Sequence, residues 1–315
     1  MPKLIGFLVL WVCVSVGAHA QDTTRLIVPF APGGPTDQIT RLIAAELTKL
    51  TGKTTVVENK PGAGGIIAAQ YVAQAKPDGT VYLVGSPSVL VINQGLQKKL
   101  PYDPERDFAP VSGMTRSPLI LIVKADSPVN DAKQLATRAN TLKNLMPMAS
   151  AGNGTIPHLA GVYFNQKAGM SALHVPFNGV APALVSVLSG DTVYMFDTLS
   201  TSIENIKAGK VKALGIASST RFSDLPNIAT LQEQGFSMQA SSWFGLMAPI
   251  KTSKTTVLAM NEAINTILTS SEFSSKMIAM GIETMPGNVE QFTNFIAEER
   301  ARWLPEVLRL NLSTD

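Results

Sequence analysis

Short apolar runs alternate along the chain with segments in which apolar residues recur at helical spacing. The run at 26–28 precedes a helical pattern from about 35 to 50, and "TTVVEN" precedes one from about 65 to 75. A proline–glycine turn then leads into a third run, "TVYLVGS". Such alternation is typical of a parallel sheet covered by helices.

A second alternating region begins at about residue 147 and resembles the first only in the order of its elements. Residues 100–114 are loop-like, and two long apolar runs, 119–123 and 243–248, separate the regions. We therefore expect an α/β protein with two lobes, a cleft and a hinge of two crossing strands. Lobe 1 comprises 21–123 and 244–315, its C-terminal helices packing back on it, and lobe 2 comprises 124–243.

The first twenty residues indicate that the protein is exported. Lys3 precedes an uncharged run that ends in an A-x-A cleavage signal at Ala20, which predicts a secretory signal peptide over 1–20, cleaved after Ala20. The run is short for a membrane anchor, since about 20 apolar residues are needed to span. An uncleaved anchor and lipidation at Cys13 are the alternatives.

The predicted mature chain has 295 residues and no cysteine, because the one cysteine is Cys13. It must be stabilised by its core alone, for which its length suffices. Loss of Lys3 leaves 25 basic against 23 acidic residues, and no basic cluster occurs, so nucleic-acid binding is not expected. Two mature histidines without metal-ligand spacing predict no metal site.

Three glycine-rich loops stand where a helix begins, at Gly33–Gly34, Gly62–Gly65 and Gly152–Thr155. The first turn of a helix has amides without partners and a partial positive charge, and glycine lets a ligand approach them. Each loop is therefore a candidate carboxylate site at the carboxyl end of a strand. The alternative is that each is only a tight turn. Neither loop of the first lobe fits a nucleotide-binding fingerprint.

The motifs "PFAPGGPTDQITR", "VVENKPGAGG", "KPDGT", "SAGNGTIPHLAG", "HVPFNG" and "MFDTLSTSIENIKAGKVKALGIASS" follow one another in the order and spacing of the Bug receptors. These are the substrate-binding proteins of tripartite tricarboxylate transporters. The chain resembles them from about Thr24 to Trp303. The resemblance implies a type II periplasmic binding protein fold, with two α/β lobes that close on a small organic ion, commonly a carboxylate, and no cofactor.

The same resemblance implies which positions bind the ligand. They are Ala31, Gly33, Gly34, Thr36, Asp37, Gly62, Ala63, Gly64, Gly65, Ser86, Ser88, Gly152, Asn153, Gly154, Thr155, His158, Asn178, Gly179, Phe196 and Asp197. One departure is Phe177-Asn178, where the family often has tyrosine followed by lysine. It removes a hydroxyl and a cation near the second-lobe site, so the ligand of a close relative need not be the ligand of this chain.

Several of these residues have two interpretations. Asp37 either caps its helix or contacts the ligand, and Asp197 either caps a helix or meets a ligand hydroxyl, amine or water. His158 either makes a structural hydrogen bond or donates to the ligand. Ser86 and Ser88 either orient a ligand or solvate a loop. Trp243 either packs at the hinge or stacks on the ligand.

The expected function is periplasmic capture of a small organic acid, by a monomer, for the membrane components of a tripartite tricarboxylate-type transporter. An enzyme is not expected, because the mature chain has no cysteine nucleophile and no G-x-S-x-G elbow. The alternatives are a secreted α/β enzyme on a carboxylate or phosphate ester, and a ligand-sensing receptor for a membrane signalling system. The sequence does not specify which carboxylate is bound.

Overall fold

A computed structural model describes residues 23–142 and 144–310. The predicted signal peptide, residues 1–20, lies outside the described residues. In the part of the chain that the structure covers, no helix has the length and apolar character needed to cross a membrane.

Strands and helices alternate along most of the described chain, except that β8 is followed by β9 and α8 by α9. The strands are β1 Thr24–Val28, β2 Thr55–Asn59, β3 Val81–Gly85, β4 Phe108–Lys124, β5 Met146–Ser150, β6 Ala172–Pro176, β7 Tyr194–Thr198, β8 Val211–Ile216, β9 Ser241–Pro249 and β10 Glu283–Thr284. The helices are α1 Pro35–Thr51, α2 Ile66–Ala73, α3 Asn93–Leu96, α4 Ala132–Thr141, α5 Ile156–Lys167, α6 Val180–Ser189, α7 Leu199–Lys207, α8 Lys254–Leu268, α9 Ser271–Ala279 and α10 Val289–Arg309. A 3₁₀ turn, Ala63–Gly65, precedes α2, and a π-helical turn, Ser88–Ile92, precedes α3.

The strands pair in the order β2-β1-β3-β9-β4-β7-β5-β6. The 17-residue strand β4 crosses between the lobes: up to Pro118 it pairs with β9, and from Leu119 it pairs with β7 and β8. The return crossing lies at Ala240, whose amide donates to Ala217 O just before β9 begins. These observations confirm the predicted α/β fold with two crossing strands. The exact lobe boundaries at 123/124 and 243/244 stay predictions.

The expectation of a loop over 100–114 is wrong for residues 108–114, which form the first part of β4. Phe108, Val111 and Met114 are buried there, and the segment pairs with β9. Register shifts after Pro110 and Gly113 break the two-residue period that identifies a strand. Proline and glycine inside the segment also imitate a loop.

The C-terminal helices pack back on lobe 1, as predicted. Val257 and Ile264 of α8 share one buried cluster with Ile43 of α1, on one face of the sheet. Helix α10 covers the opposite face and also reaches lobe 2, where the rings of Tyr163 and Trp303 meet edge to face with centroids 6.1 Å apart. The C-terminal segment therefore ties both lobes to the hinge.

Trp243 is fully buried at the start of β9, and its Nε1 donates to Glu299 Oε2 at 2.8 Å. Trp303 Nε1 donates to the same oxygen at 3.2 Å, and Arg302 donates to the other oxygen at 2.7 Å. Of the two interpretations of Trp243, hinge packing is therefore confirmed.

Candidate ligand-binding site

Each lobe directs three loops to one edge of its sheet. In lobe 1 the loops follow β1, β2 and β3, where β1 is parallel to both neighbours. In lobe 2 they follow β5, β6 and β7, where β5 is parallel to both neighbours. Because carboxyl ends of parallel strands meet at one edge, the glycine loops of each lobe stand side by side, at the usual ligand position of open α/β sheets.

The loops of the two lobes meet at a cavity of about 510 Å³, which we call the main cavity. Six of the predicted residues line it: Ala63, Gly64, Ser88, Asn153, Gly154 and Thr155. The lobes are close at this point, since a Cβ placed on Gly154 would lie 2.9 Å from Leu96 Cδ1. The main cavity is therefore built from both lobes.

Four lining residues were not foreseen: Ile92, Asn93, Leu96 and Gln97. Ile92 belongs to the π-helical turn after the third strand, Asn93 and Leu96 belong to α3, and Gln97 follows α3 directly. The signal that would have found them is the run "SVLVINQGL", whose position after a strand that ends at the cleft brings it to the cavity wall.

Thr36 lines a second, smaller cavity of about 100 Å³. There the first turn of α1 faces Thr198 and Ser200 of lobe 2 across the crossing strand β4. The amide of Ser200 donates to Ser117 Oγ at 3.0 Å, so part of the α7 N-terminus is already engaged. Thr115 Oγ1 is buried on this wall and has no hydrogen-bond partner within the described chain.

Most helices that begin at the cleft lack a capping side chain, whereas helices that begin elsewhere have one. Four begin at the cleft without a hydrogen bond from a capping side chain: α1 at Gly34, α2 at Gly65, α6 at Gly179 and α7 at Thr198. Four others have capping side chains: Asp131, Ser253, Ser270 and Asn288. Helix α5 is the exception at the cleft, because Thr155 Oγ1 accepts from the His158 amide. Uncapped first turns leave amides available to an anion.

The loop 62–65 has the strongest local signature of an anion site. Its four residues have successive positive φ values of 132°, 47°, 63° and 93°, and Ala63 is the only non-glycine with positive φ in the described chain. Successive residues in turn conformations can align their amides into a concave anion-binding nest, and of the four amides here the Gly65 amide already donates to Gly62 O at 2.9 Å. A Cβ at Gly62 would meet Ile67 Cδ1 at 2.5 Å, and one at Gly65 would meet Val89 Cγ2 at 2.5 Å. Gly64 instead lies on the cavity wall.

Asp37 fixes the neighbouring loop. One of its oxygens accepts from the Gly33 amide and from Arg41 Nε, each at 2.9 Å, and the other accepts from Asn59 Nδ2 at 3.0 Å. The hydrogen bond from Arg41 is the main reason that the pKa of Asp37 falls to about 2. The Gly33 amide is therefore occupied, whereas exposed Ala31 and the Gly34 helix start have no such side-chain bond.

The second-lobe loops use most of their amides internally. Gly152 donates to Ser150 Oγ at 3.2 Å, Gly154 to His158 Nδ1 at 3.1 Å, and Gly179 to Ala151 O at 3.2 Å. Asn178, which precedes Gly179, is exposed. The lobe-2 loops are thus stabilised from within.

His158 makes the structural hydrogen bond that was one of its two interpretations. Its ring stacks on His174 at 3.8 Å, and burial lowers the pKa of His158 to about 4. The ring is neutral at neutral pH, with Nδ1 as the acceptor of the Gly154 amide. A ligand contact of His158 stays a prediction.

Asp197 and Phe196 turn their side chains into lobe 2. Asp197 is fully buried and accepts from Thr198 N at 2.7 Å, from Thr201 Oγ1 at 2.6 Å and from Ser202 Oγ. Burial raises the pKa of Asp197. Phe196 packs against Phe164 with ring centroids 5.6 Å apart. Ligand contacts at these two positions stay predictions, and they would have to be made by the main chain.

Ser86 and Ser88 differ in burial and therefore in the role each can have. Ser86 is buried, and its Oγ accepts from the Val89 amide at 3.4 Å, so it fixes the turn. Ser88 is half-buried on the wall of the main cavity. Among residues 23–142 and 144–310, no three His, Cys, Asp or Glu side chains are grouped to hold a metal ion.

Two α/β lobes, two crossing strands and a cavity between loops at the strand ends define a binding protein of the type II periplasmic class. Residues 39–312 match the family model described as the tripartite tricarboxylate transporter family receptor, and the chain belongs to that family. It is 30% identical over 292 residues to Protein BugT of Bordetella pertussis, covering 92% of this chain and 90% of that one.

Solved structures show the same relationship. The structure of R. palustris Rpa4515 with adipate is 30% identical, with a TM-score of 0.81 over 92% of this chain and 97% of that chain. The structure of MatC from Rhodopseudomonas palustris with bound malate is 33% identical, with a TM-score of 0.75 over 90% and 98%. The expectation of a Bug-type receptor is confirmed.

Proposed function

We propose that this chain is an exported periplasmic receptor that captures a small organic carboxylate in the main cavity and delivers it to the membrane components of a tripartite tricarboxylate-type transporter. The observation that carries the proposal is the nest at 62–65, which opens on a cavity lined by both lobes. Adipate and malate are bound by two relatives of similar fold. The cavity volume is in the usual range for small-molecule sites.

The first lobe supplies the anion contacts. The amides of Ala63 and Gly64, the two nest residues on the cavity wall, hold the carboxylate, since nests bind anions without a charged side chain. The loop Asn153–Thr155 of lobe 2 then closes over the ligand by movement about β4 and the return crossing at Ala240. Closure changes the outer surface that the membrane components recognise. The signal peptide is removed after Ala20, and the receptor acts as a monomer.

The test is calorimetric titration and thermal shift of residues 21–315 with a panel of mono-, di- and tricarboxylates. A ligand at 100 times its Kd adds about 2.7 kcal/mol to the free energy of unfolding. At about 2 °C per kcal/mol for a chain of this size, Tm rises by about 5 °C. Absence of binding across the panel, or turnover of a bound acid to product, contradicts the proposal.

A matched pair of variants locates the site. Gly64→Asp places a carboxylate in the nest, and Gly52→Asp places one at the C-terminal end of α1, where φ is 69° instead of 63°. The two substitutions carry the same backbone strain, which aspartate tolerates better than most residues. We expect Gly64→Asp to lose binding and Gly52→Asp to keep it. Equal binding by both variants contradicts the assignment of the nest.

A further inference from the structure

Building on the proposed function, we infer that the ligand carries a single carboxylate on an uncharged body with a hydrogen-bond donor. The main cavity has an amide nest on its lobe-1 wall, formed with Ala63 and Gly64, and none of its lining side chains is charged. The inference concerns the substrate class of the site, and it excludes diacids as preferred ligands.

The wall of the main cavity has no charged side chain. Its ten lining residues, all within the described chain, are Ala63, Gly64, Ser88, Ile92, Asn93, Leu96, Gln97, Asn153, Gly154 and Thr155. A second carboxylate would lose water against Ile92 and Leu96 without gaining a cation. Burial of an unpaired charge is one of the most expensive events in a protein.

The basic side chains near the cleft already contact other residues of the protein. Arg41 binds Asp37 at 2.9 Å, Arg116 binds Glu283 at 2.7 Å, and Lys60 Nζ lies 4.1 Å from the ring centroid of Tyr71. Lys98 and Lys99 are exposed and do not line the cavity. His158 is neutral at neutral pH because burial lowers its pKa. No described cation is therefore placed to receive a second carboxylate.

The backbone amides that could bind an anion in the main cavity also come from lobe 1. In lobe 1 the nest residues Ala63 and Gly64 lie on the cavity wall, and the Gly65 amide donates to Gly62 O. In lobe 2 the amides of Gly152, Gly154 and Gly179 donate to acceptors within their own lobe. The uncapped starts of α6 and α7 do not line the main cavity. Lobe 2 thus has no amide cluster to serve a second anion.

Asn93 selects for a donor on the ligand body. Its side chain is 4% exposed on the cavity wall, and its Nδ2 donates to Gly64 O at 3.1 Å and to Tyr102 Oη at 3.4 Å. This network sets the amide orientation and leaves Oδ1 as an acceptor that no described residue uses. A carbonyl oxygen repels a carboxylate and binds a hydroxyl or amide N–H.

The test compares length-matched pairs, in which one member is a diacid and the other its half-amide: succinate and succinamate, adipate and adipamate, terephthalate and 4-carbamoylbenzoate. Titration of residues 21–315 at neutral pH should give at least tenfold tighter binding of the half-amide in the pair that fits best, which corresponds to about 1.4 kcal/mol. A diacid that binds as tightly or more tightly overturns the inference and leaves the proposed function standing. If no organic acid binds, the proposed function fails and the inference with it.

Asn153 provides the matched variants, because it is exposed at the tip of its loop and lines the cavity, so substitution there should not impair folding. Asn153→Lys adds the cation that the wall lacks, and Asn153→Gln adds length without charge. We expect Asn153→Lys to raise the ratio of diacid to half-amide affinity at least tenfold and Asn153→Gln to leave it within twofold. An unchanged ratio in Asn153→Lys, with half-amide binding retained, overturns the inference.

Discussion

Glu299 holds the hinge region together, and its replacement by alanine is the sharpest test of that packing. The side chain is 2% exposed, and its carboxylate accepts from the indoles of Trp243 and Trp303 and from Arg302. Trp243 belongs to β9 at the return crossing, whereas Trp303 and Arg302 belong to α10. The Glu299→Ala variant therefore removes a link between the crossing strand and the C-terminal helix.

The expected loss in the free energy of unfolding comes from the hydrogen-bond donors that the Glu299→Ala variant leaves without an acceptor. Two buried indole N–H groups lose their acceptor, and each unsatisfied buried group costs about 1–3 kcal/mol. Arg302 is a third exposed and can bind water instead, so its loss adds little. Together with the space left by the side chain, the free energy of unfolding should fall by about 3–5 kcal/mol, the usual cost of breaking a buried charged contact. At about 2 °C per kcal/mol, Tm falls by roughly 6–10 °C.

Urea unfolding followed by tryptophan fluorescence measures this loss, and thermal unfolding checks it. Glu298→Ala is the matched control, because Glu298 is the preceding residue of the same helix and is exposed. It should change stability by no more than about 0.5 kcal/mol. Glu299→Gln keeps an acceptor and should lose about half as much as Glu299→Ala. Equal stability of the Glu299→Ala and Glu298→Ala variants would refute the reasoning.

Two further predictions concern acid stability and backbone contact. The folded pKa of Asp37 is lowered to about 2, chiefly by Arg41, so its contribution to stability is present above the unfolded pKa of about 3.9 and is lost as pH falls toward 2. Asp37→Asn should flatten the loss of stability between about pH 4 and 2 in acid titrations followed by circular dichroism, and an unchanged profile contradicts this assignment. Gly281 has a φ of 71°, and a Cβ there would lie 2.9 Å from the carbonyl carbon of Leu199 in lobe 2. Gly281→Ala should therefore lose about 2–4 kcal/mol in urea unfolding, from overpacking and left-handed strain together. Gly169→Ala, with a φ of 60° and open space, should lose only about 1 kcal/mol, and equal losses contradict the contact.

The hydrophobic period and the turn residues determined most of the fold. The three strands and two helices predicted in the first alternating region are present as β1, α1, β2, α2 and β3, because a two-residue or helical period is a local property that burial of one face preserves. The first part of β4 was missed, since Pro110 and Gly113 interrupt its period where the strand shifts register against β9. Pairing with a strand more than 100 residues away made this segment extended.

Some features of the candidate site could be predicted from the sequence, and others depend on the tertiary structure. Its glycine loops could be found from sequence, because positive φ and an uncapped helix start depend on local residue type. Whether an amide is available depends on its neighbours: Asp37 takes that of Gly33, and Asn59 from β2 holds Asp37 in place. Asn93 reaches the cavity wall only because the π-helical turn brings it against Gly64. Conformational preference is encoded along the chain, but hydrogen-bond partners and cavity walls come from segments that only the folded structure brings together.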